Sequence, residues 1–322
     1  MAANANASCP VIWLLTDNKP GHRNQLKGLG NRLRVLAGAS LHWIDVSTVK
    51  TPLWRALLGR PPALSSALPQ PDLIIAAGSG THRLLLALRK LKGARTLVLM
   101  KPGFPPRWVN GAIIPQHDRV KPGPALFLSQ GVINAITPIK DLGTQPRGLI
   151  LVGGPSAHFV WNDDAIMAQI HELLRAYPKW SWVISSSRRT PTSCQQALAK
   201  LETNRIQVLT PQGTGEHWLG NALAHSRCAW VTPDSMSMVC EAATSGVPTG
   251  LLDLPARAGS RVATGVQHLA ERGLVAHWSD HAAVMAEQSD RHERLWEADR
   301  AARWVAGLWL GKLTKRTKES HR

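Results

Sequence analysis

Several polar clusters in this chain have the residue types and spacing to handle an anion or a reacting hydroxyl. The first is Thr16-Asp17-Asn18-Lys19-Pro20-Gly21-His22-Arg23-Asn24-Gln25, directly after an apolar run. Pro and Gly shape a turn there, and Lys19, His22, Arg23 and Asn24 offer donors beside a helix start, where an anion is favoured. A capped turn with solvated basic residues is the plain alternative. Two later clusters are weaker. Gly78-Ser79-Gly80-Thr81-His82 permits close backbone approach to a ligand. Pro115-Gln116-His117-Asp118 sets a His beside an Asp, either a polarised base or a hydrogen-bonded turn.

The second half is richer. Val152-Gly153-Gly154-Pro155-Ser156 ends an apolar run, and glycines there would let backbone N–H groups face a diphosphate. Ser185-Ser186-Ser187-Arg188-Arg189-Thr190 presents adjacent arginines whose forked donors match phosphate oxygens, with solvated surface arginines as the alternative. In TPDSMSMVCEAATSGVP at 232–248, Asp234 or Ser235 is placed to cap a helix, with Val239, Ala242 and Ala243 on its packed side. Gly246 closes that helix before Pro248 opens a strand, and Glu241 lies well inside it.

These clusters need elements to hold them. Apolar runs at 11–16, 41–46, 72–77, 95–100 and 112–114 alternate with helical leucine spacing at 24–36 and 84–91. The polar, Pro- and Gly-rich stretch 138–148 reads as a linker, giving domains 1–147 and 148–322. Strands are then expected at 148–152, 180–185, 206–209, 229–231 and 248–252, with a helical region over 282–311. This alternation implies βαβ units and two successive parallel-sheet α/β domains, whose ligands bind beyond the carboxyl ends of strands.

Composition narrows the partners. Two domains suit 322 residues. Residues 1–147 hold 19 Lys+Arg against 5 Asp+Glu, a balance of +14, whereas residues 148–322 hold 19 against 16, or +3. The first half should therefore gather an anionic partner such as nucleic acid, acidic lipid or a phosphorylated glycan. No helix-turn-helix, zinc or RNA-binding signature supports nucleic acid. No run approaches the roughly 18 apolar residues of a membrane span, and the N-terminus lacks a basic n-region. Four cysteines without CxxC spacing suit a reducing cytoplasm. A basic run at 312–318, near Trp304, Leu308 and Trp309, adds to the case for peripheral contact with an anionic inner membrane, although packing of a final helix also accounts for those apolar residues.

Together, TDNKPGHRNQ at 16–25, PQHD at 115–118, GGPS at 153–156, SSRRTP at 186–191 and TPDSMSMVCEAATSGVP at 232–248 resemble the pattern of the mitochondrial-fission (elongated mitochondria) family, in its bacterial branch. The resemblance runs from about Val11 to Gly273; family members often carry a glycine where Asn18 stands. Those bacterial members are treated as candidate glycosyltransferases. The resemblance implies two Rossmann-like domains of the glycosyltransferase B architecture and transfer from a nucleotide-sugar donor to an anionic glycolipid or envelope glycan such as lipopolysaccharide core. It implies no metal or other cofactor, and the chain has no Asp-x-Asp pair. On the donor side, Glu241 would hold the ribose, Ser235 and Met236 would meet the diphosphate through backbone N–H groups, and Gly153, Gly154, Ser156, Ser187 and Arg189 would line the site. Arg188 would stabilise the departing nucleotide. On the acceptor side His22 and Asp17 are equal candidates for the base, with His117 or His82 next. An epimerase or hydrolase of the same fold, or a non-catalytic membrane-associated scaffold, are the rival readings.

Overall fold

The computed structural model describes residues 9–141, 143–286 and 294–310. The chain forms two compact units, one built from residues up to Ala135 together with Glu297 onward, the other from Ile136–Trp296.

In the first unit the order is β1 (Val11–Thr16), α1 (Pro20–Ala37), β2 (Ser40–Asp45), α2 (Leu53–Leu58), β3 (Leu73–Ala77), α3 (His82–Leu88), β4 (Arg95–Leu99), β5 (Gly111–Pro115) and β6 (Leu126–Ser129). All pairings are parallel, in the order β2-β1-β3-β4-β5-β6. The inner strands are apolar on both faces because crossover helices cover a parallel sheet. Leu73, Ile74, Ile75, Ala76 and Ala77 of β3 are all fully buried.

The second unit runs β7 (Arg147–Val152), α4 (Asp163–Ala176), β8 (Ser181–Ser186), α5 (Thr192–Ala199), β9 (Ile206–Leu209), α6 (Trp218–Ala224), β10 (Cys228–Val231), α7 (Met236–Ser245), β11 (Thr249–Leu251), α8 (Arg261–Glu271) and α9 (His281–Met285). Its parallel sheet is ordered β11-β10-β7-β8-β9. Trp182 and Trp230 fill its core beside Ile150, Ile166 and Leu198.

Three differences from the sequence expectation have physical causes. α1 starts at Pro20, not near Asn24, because proline suits the first turn, where its missing N–H is no loss. β6 and α2 are too short for their apolar periodicity to be read from sequence. The boundary between units falls at Ala135, not at residue 147, and the C-terminal helix leaves the second unit for the first.

That helix, α10 (Glu297–Val305), packs on α1. Asp299 accepts from Arg32 Nη2 at 2.5 Å and from Arg303 Nε at 2.6 Å, and a Glu297 carboxylate oxygen accepts the Gln130 N–H at 2.9 Å. Glu297 and Asp299 are buried acids, and the strongly basic first unit supplies their partners. Trp304 lies 5.6 Å from Phe127 and 5.8 Å from Trp309, so both indoles are used in packing while Leu308 stays exposed. The basic run at 312–318 lies outside the described residues.

Asp299→Ala should cost about 3 kcal/mol of stability, because it removes a buried carboxylate shared by Arg32 and Arg303. Denaturant melts of wild type and variant check this, and a loss below about 0.5 kcal/mol would mean that the Asp299 pairs add nothing to the hold on α10.

Candidate functional site

In the second unit the clusters predicted from sequence converge at the carboxyl ends of β7, β8 and β10. Asp234 follows β10 and is buried, with its side chain 1% exposed. One carboxylate oxygen, Oδ2, accepts the Gly154 N–H at 3.2 Å and Arg189 Nη2 at 2.6 Å. Arg189 also donates through Nη1 to the carbonyls of Gly154 and Pro155, both at 3.1 Å. The Gly153 N–H goes to Thr232 Oγ1 at 2.8 Å. Ser187 Oγ donates to the Gly153 carbonyl at 2.9 Å and accepts the Arg189 N–H at 3.2 Å. Thr190 Oγ1 donates to the Gly153 carbonyl and accepts the Ser187 N–H.

This knot corrects part of the sequence reading. The N–H groups of Gly153 and Gly154 do not face a diphosphate, since both are spent on Thr232 and Asp234. Glycine is needed for another reason. A Cβ on Gly153 would sit 2.2 Å from Asp234 Oδ1, and one on Gly154 would sit 2.1 Å from the Arg189 carbonyl oxygen. Arg189 and Ser187 are likewise committed to holding the loops, and Ser156 Oγ accepts the His158 N–H within its own turn. Nor does Asp234 cap α7. Ser235 occupies the N-cap position, and its side chain makes no capping bond.

What remains for a ligand is the N-terminus of α7. Among the described residues, the N–H groups of Met236, Ser237 and Met238 and the hydroxyls of Ser235 and Ser237 donate to no protein group. The first protein-bound amide of the helix is that of Val239, on the Ser235 carbonyl at 3.1 Å. Ser237 was not singled out from sequence; its role follows once the helix start is fixed at Met236. A buried carboxylate beside these donors would repel an anion, but Arg189 neutralises Asp234 and leaves the positive end of the helix available. Arg188, next in sequence, is exposed and carries no ion pair among the described residues. Glu241 is half-buried on α7.

In the first unit Asp17 and His22 form one pair rather than two alternatives. His22 Nδ1 lies 2.9 and 3.1 Å from the two carboxylate oxygens of Asp17. A carboxylate only accepts, so the contact puts a proton on Nδ1, and in the neutral ring Nε2 is then the acceptor. The loop is held by Asn18, in the left-handed region at φ 61°, whose side chain donates to Asp45. Gly78 supports the pair from β3. It has φ 88°, and a Cβ there would lie 2.1 Å from His22 Nδ1. Gly78 therefore makes room for the His22 ring. Burial, with the nearby His22, pushes the His82 imidazole below its ordinary pKa. His117 and Asp118 are buried in a 3-10 turn after β5.

Burial also raises the thiols of Cys194 and Cys228, to about 11 and about 12, so neither is a thiolate near neutral pH.

Arg189→Gln should lower ligand-free stability by about 2 kcal/mol, less than for a wholly buried pair because Arg189 is 43% exposed. Thermal melts without nucleotide measure this. An unchanged melting temperature would return Arg189 to the role of a simple ligand-binding side chain.

The fold is shared with nucleotide-sugar enzymes. A Listeria monocytogenes protein provisionally named UDP-N-acetylglucosamine 2-epimerase matches with a TM-score of 0.57 at 14% identity, covering 94% of this chain and 96% of that one. Acinetobacter baumannii MurG matches with a TM-score of 0.51 at 13% identity, covering 93% and 99%. The Neisseria meningitidis UDP-GlcNAc 2-epimerase, solved bound to UDP-GlcNAc, matches with a TM-score of 0.51 at 14% identity, covering 94% and 99%. These likenesses establish two parallel α/β units of the glycosyltransferase B type. An uncharacterized protein of Rickettsia prowazekii is 22% identical over 339 aligned positions, covering 86% of this chain and 93% of the relative. The model for the family described as mitochondrial fission ELM1 matches residues 20–309, nearly the whole chain, and the protein belongs to that family.

Proposed function

We propose that the protein is a glycosyltransferase that moves a sugar from a nucleotide-sugar to an anionic glycolipid or envelope glycan such as lipopolysaccharide core. The observation that carries the reading is the start of α7, where three N–H groups and two hydroxyls have no protein acceptor among the described residues, beside an acid paired with Arg189. A diphosphate fits that set of donors. Glu241, further along the same helix, has the chemistry to accept the ribose hydroxyls. Arg188 has the charge to meet the departing diphosphate. No Asp-x-Asp pair is present in the chain to hold a divalent cation, so leaving-group charge falls to Arg188 and the helix terminus.

The acceptor half is assigned to the first unit, where the basic excess suits an anionic acceptor. There His22 Nε2 takes the proton from the acceptor hydroxyl while Asp17 orients the ring and stabilises the imidazolium. The acceptor oxygen bonds to the anomeric carbon as the bond from that carbon to the diphosphate breaks. An epimerase or hydrolase is the second reading, favoured by the names of the L. monocytogenes and N. meningitidis structures of the same fold. Such an enzyme would consume donor with no acceptor present.

His22→Ala should lower turnover roughly 100-fold or more and spare donor affinity. Asp17→Asn should act in the same direction. Near-normal turnover in both variants would place the base elsewhere. Glu241→Ala should weaken nucleotide-sugar binding roughly 10- to 100-fold, since a hydrogen bond to a charged group contributes about 1.5–3 kcal/mol. Calorimetry with UDP-, GDP-, CMP- and dTDP-sugars, with melting curves as control, reads the effect. Unchanged affinity in the folded variant would remove the ribose assignment.

A further inference from the structure

α2 turns its apolar side away from the core of its own unit. Within Leu53–Leu58, Ala56 is buried, whereas Leu53, Trp54, Leu57 and Leu58 are 57, 47, 57 and 52% exposed. At 3.6 residues per turn these four positions form one stripe, and an ordinary amphipathic helix would bury such a stripe. The seating is fixed by hydrogen bonds rather than left to fraying. Arg89 donates to the Ala56 carbonyl and, at 2.7 Å, to the Leu57 carbonyl. The Arg89 guanidinium also stands 6.0 Å from the ring of Trp108, itself 39% exposed and stacked on Phe104, so the apolar surface continues past α2.

The charge around this stripe is of one sign. Residues 46–117 hold ten Lys and Arg and a single acid, Asp72, which accepts the Val11 N–H at the amino end of the sheet. Arg55 lies over the ring of Trp54 at 4.7 Å, which keeps its charge at the border of the stripe. Tryptophan with leucines, ringed by long basic side chains, suits the membrane–water interface. There the apolar groups enter the acyl boundary and the cations meet lipid phosphates. A crest of one and a half turns is small for a stable protein interface, and an extended acidic surface answers the surrounding charge better than a single acidic partner does.

We propose that α2 docks the protein on an acidic lipid bilayer, with Leu53, Trp54, Leu57 and Leu58 entering the headgroup–acyl boundary. This deepens the acceptor half of the proposed function, because a lipid-borne acceptor would be met at that surface.

The test is co-sedimentation of the full chain with vesicles of phosphatidylcholine alone and of phosphatidylcholine with phosphatidylglycerol, at low and high salt. Binding to the acidic vesicles only, weakened by salt, is expected. Leu53→Glu with Leu57→Glu should lower that binding about 10-fold or more and leave nucleotide-sugar affinity unchanged. Equal binding to neutral vesicles, or full binding by the double variant, would overturn the proposal. So would light scattering that shows a dimer dissociated by the same substitutions, which would give the stripe to a second copy. Should the double variant fail to fold, an environment-sensitive dye on Leu57→Cys, in a Cys9→Ser background, replaces it. A blue shift on acidic vesicles is expected, and no shift would overturn the proposal. Vesicle binding without any nucleotide-sugar binding would leave the docking in place and remove only the donor reading.

Discussion

A buried carboxylate governs the second unit. Asp234 stands at the head of α7, where the dipole favours an anion, and an unpaired charge there would be costly and would repel any phosphate. The bonds of its Oδ2 to the Gly154 N–H and to Arg189 offset the charge and draw the loops after β7, β8 and β10 together. Gly153 and Gly154 must be glycine because those loops touch backbone to backbone and backbone to carboxylate. Beside the paired acid, the N–H groups of Met236, Ser237 and Met238 and the hydroxyls of Ser235 and Ser237 donate to no protein group among the described residues. In the proposed donor site, selectivity for an anion would thus rest on an ion pair that the anion need not touch.

The first unit follows a similar plan with different parts. An acid, Asp17, is again spent on orientation, here of His22, and a glycine, Gly78, again clears the space. In both units the residues most easily singled out as ligand-binding are partly scaffolding. The groups that carry the proposed chemistry are a ring nitrogen, a helix terminus and an exposed Arg188.

Much of this was legible in the sequence. Strands buried on both faces, such as Val11–Thr16 and Leu73–Ala77, announce themselves as short apolar runs between turn residues, and the polar clusters fall at their carboxyl ends as the fold rule requires. The partners of those polar residues were not legible. Whether Arg189 meets a phosphate or Asp234, 45 positions away, depends on loop geometry that no local pattern encodes. The docking of α10 was hidden for the same reason. Its amphipathic face states that it packs, and only the pairing of Asp299 with Arg32, 267 positions apart, states where. α2 misleads in the opposite way, since an apolar stripe normally signals burial and here it is exposed.

The central claim is that α7 receives a diphosphate at its N-terminus while the glycine loop remains a scaffold. Hydrogen–deuterium exchange resolved to single amides, with and without a nucleotide-sugar that binds, tests it directly. Slowed exchange at Met236, Ser237 and Met238, with Gly153 and Gly154 unchanged, is the expected pattern. Protection of Gly153 and Gly154 with no change at the start of α7 would contradict it.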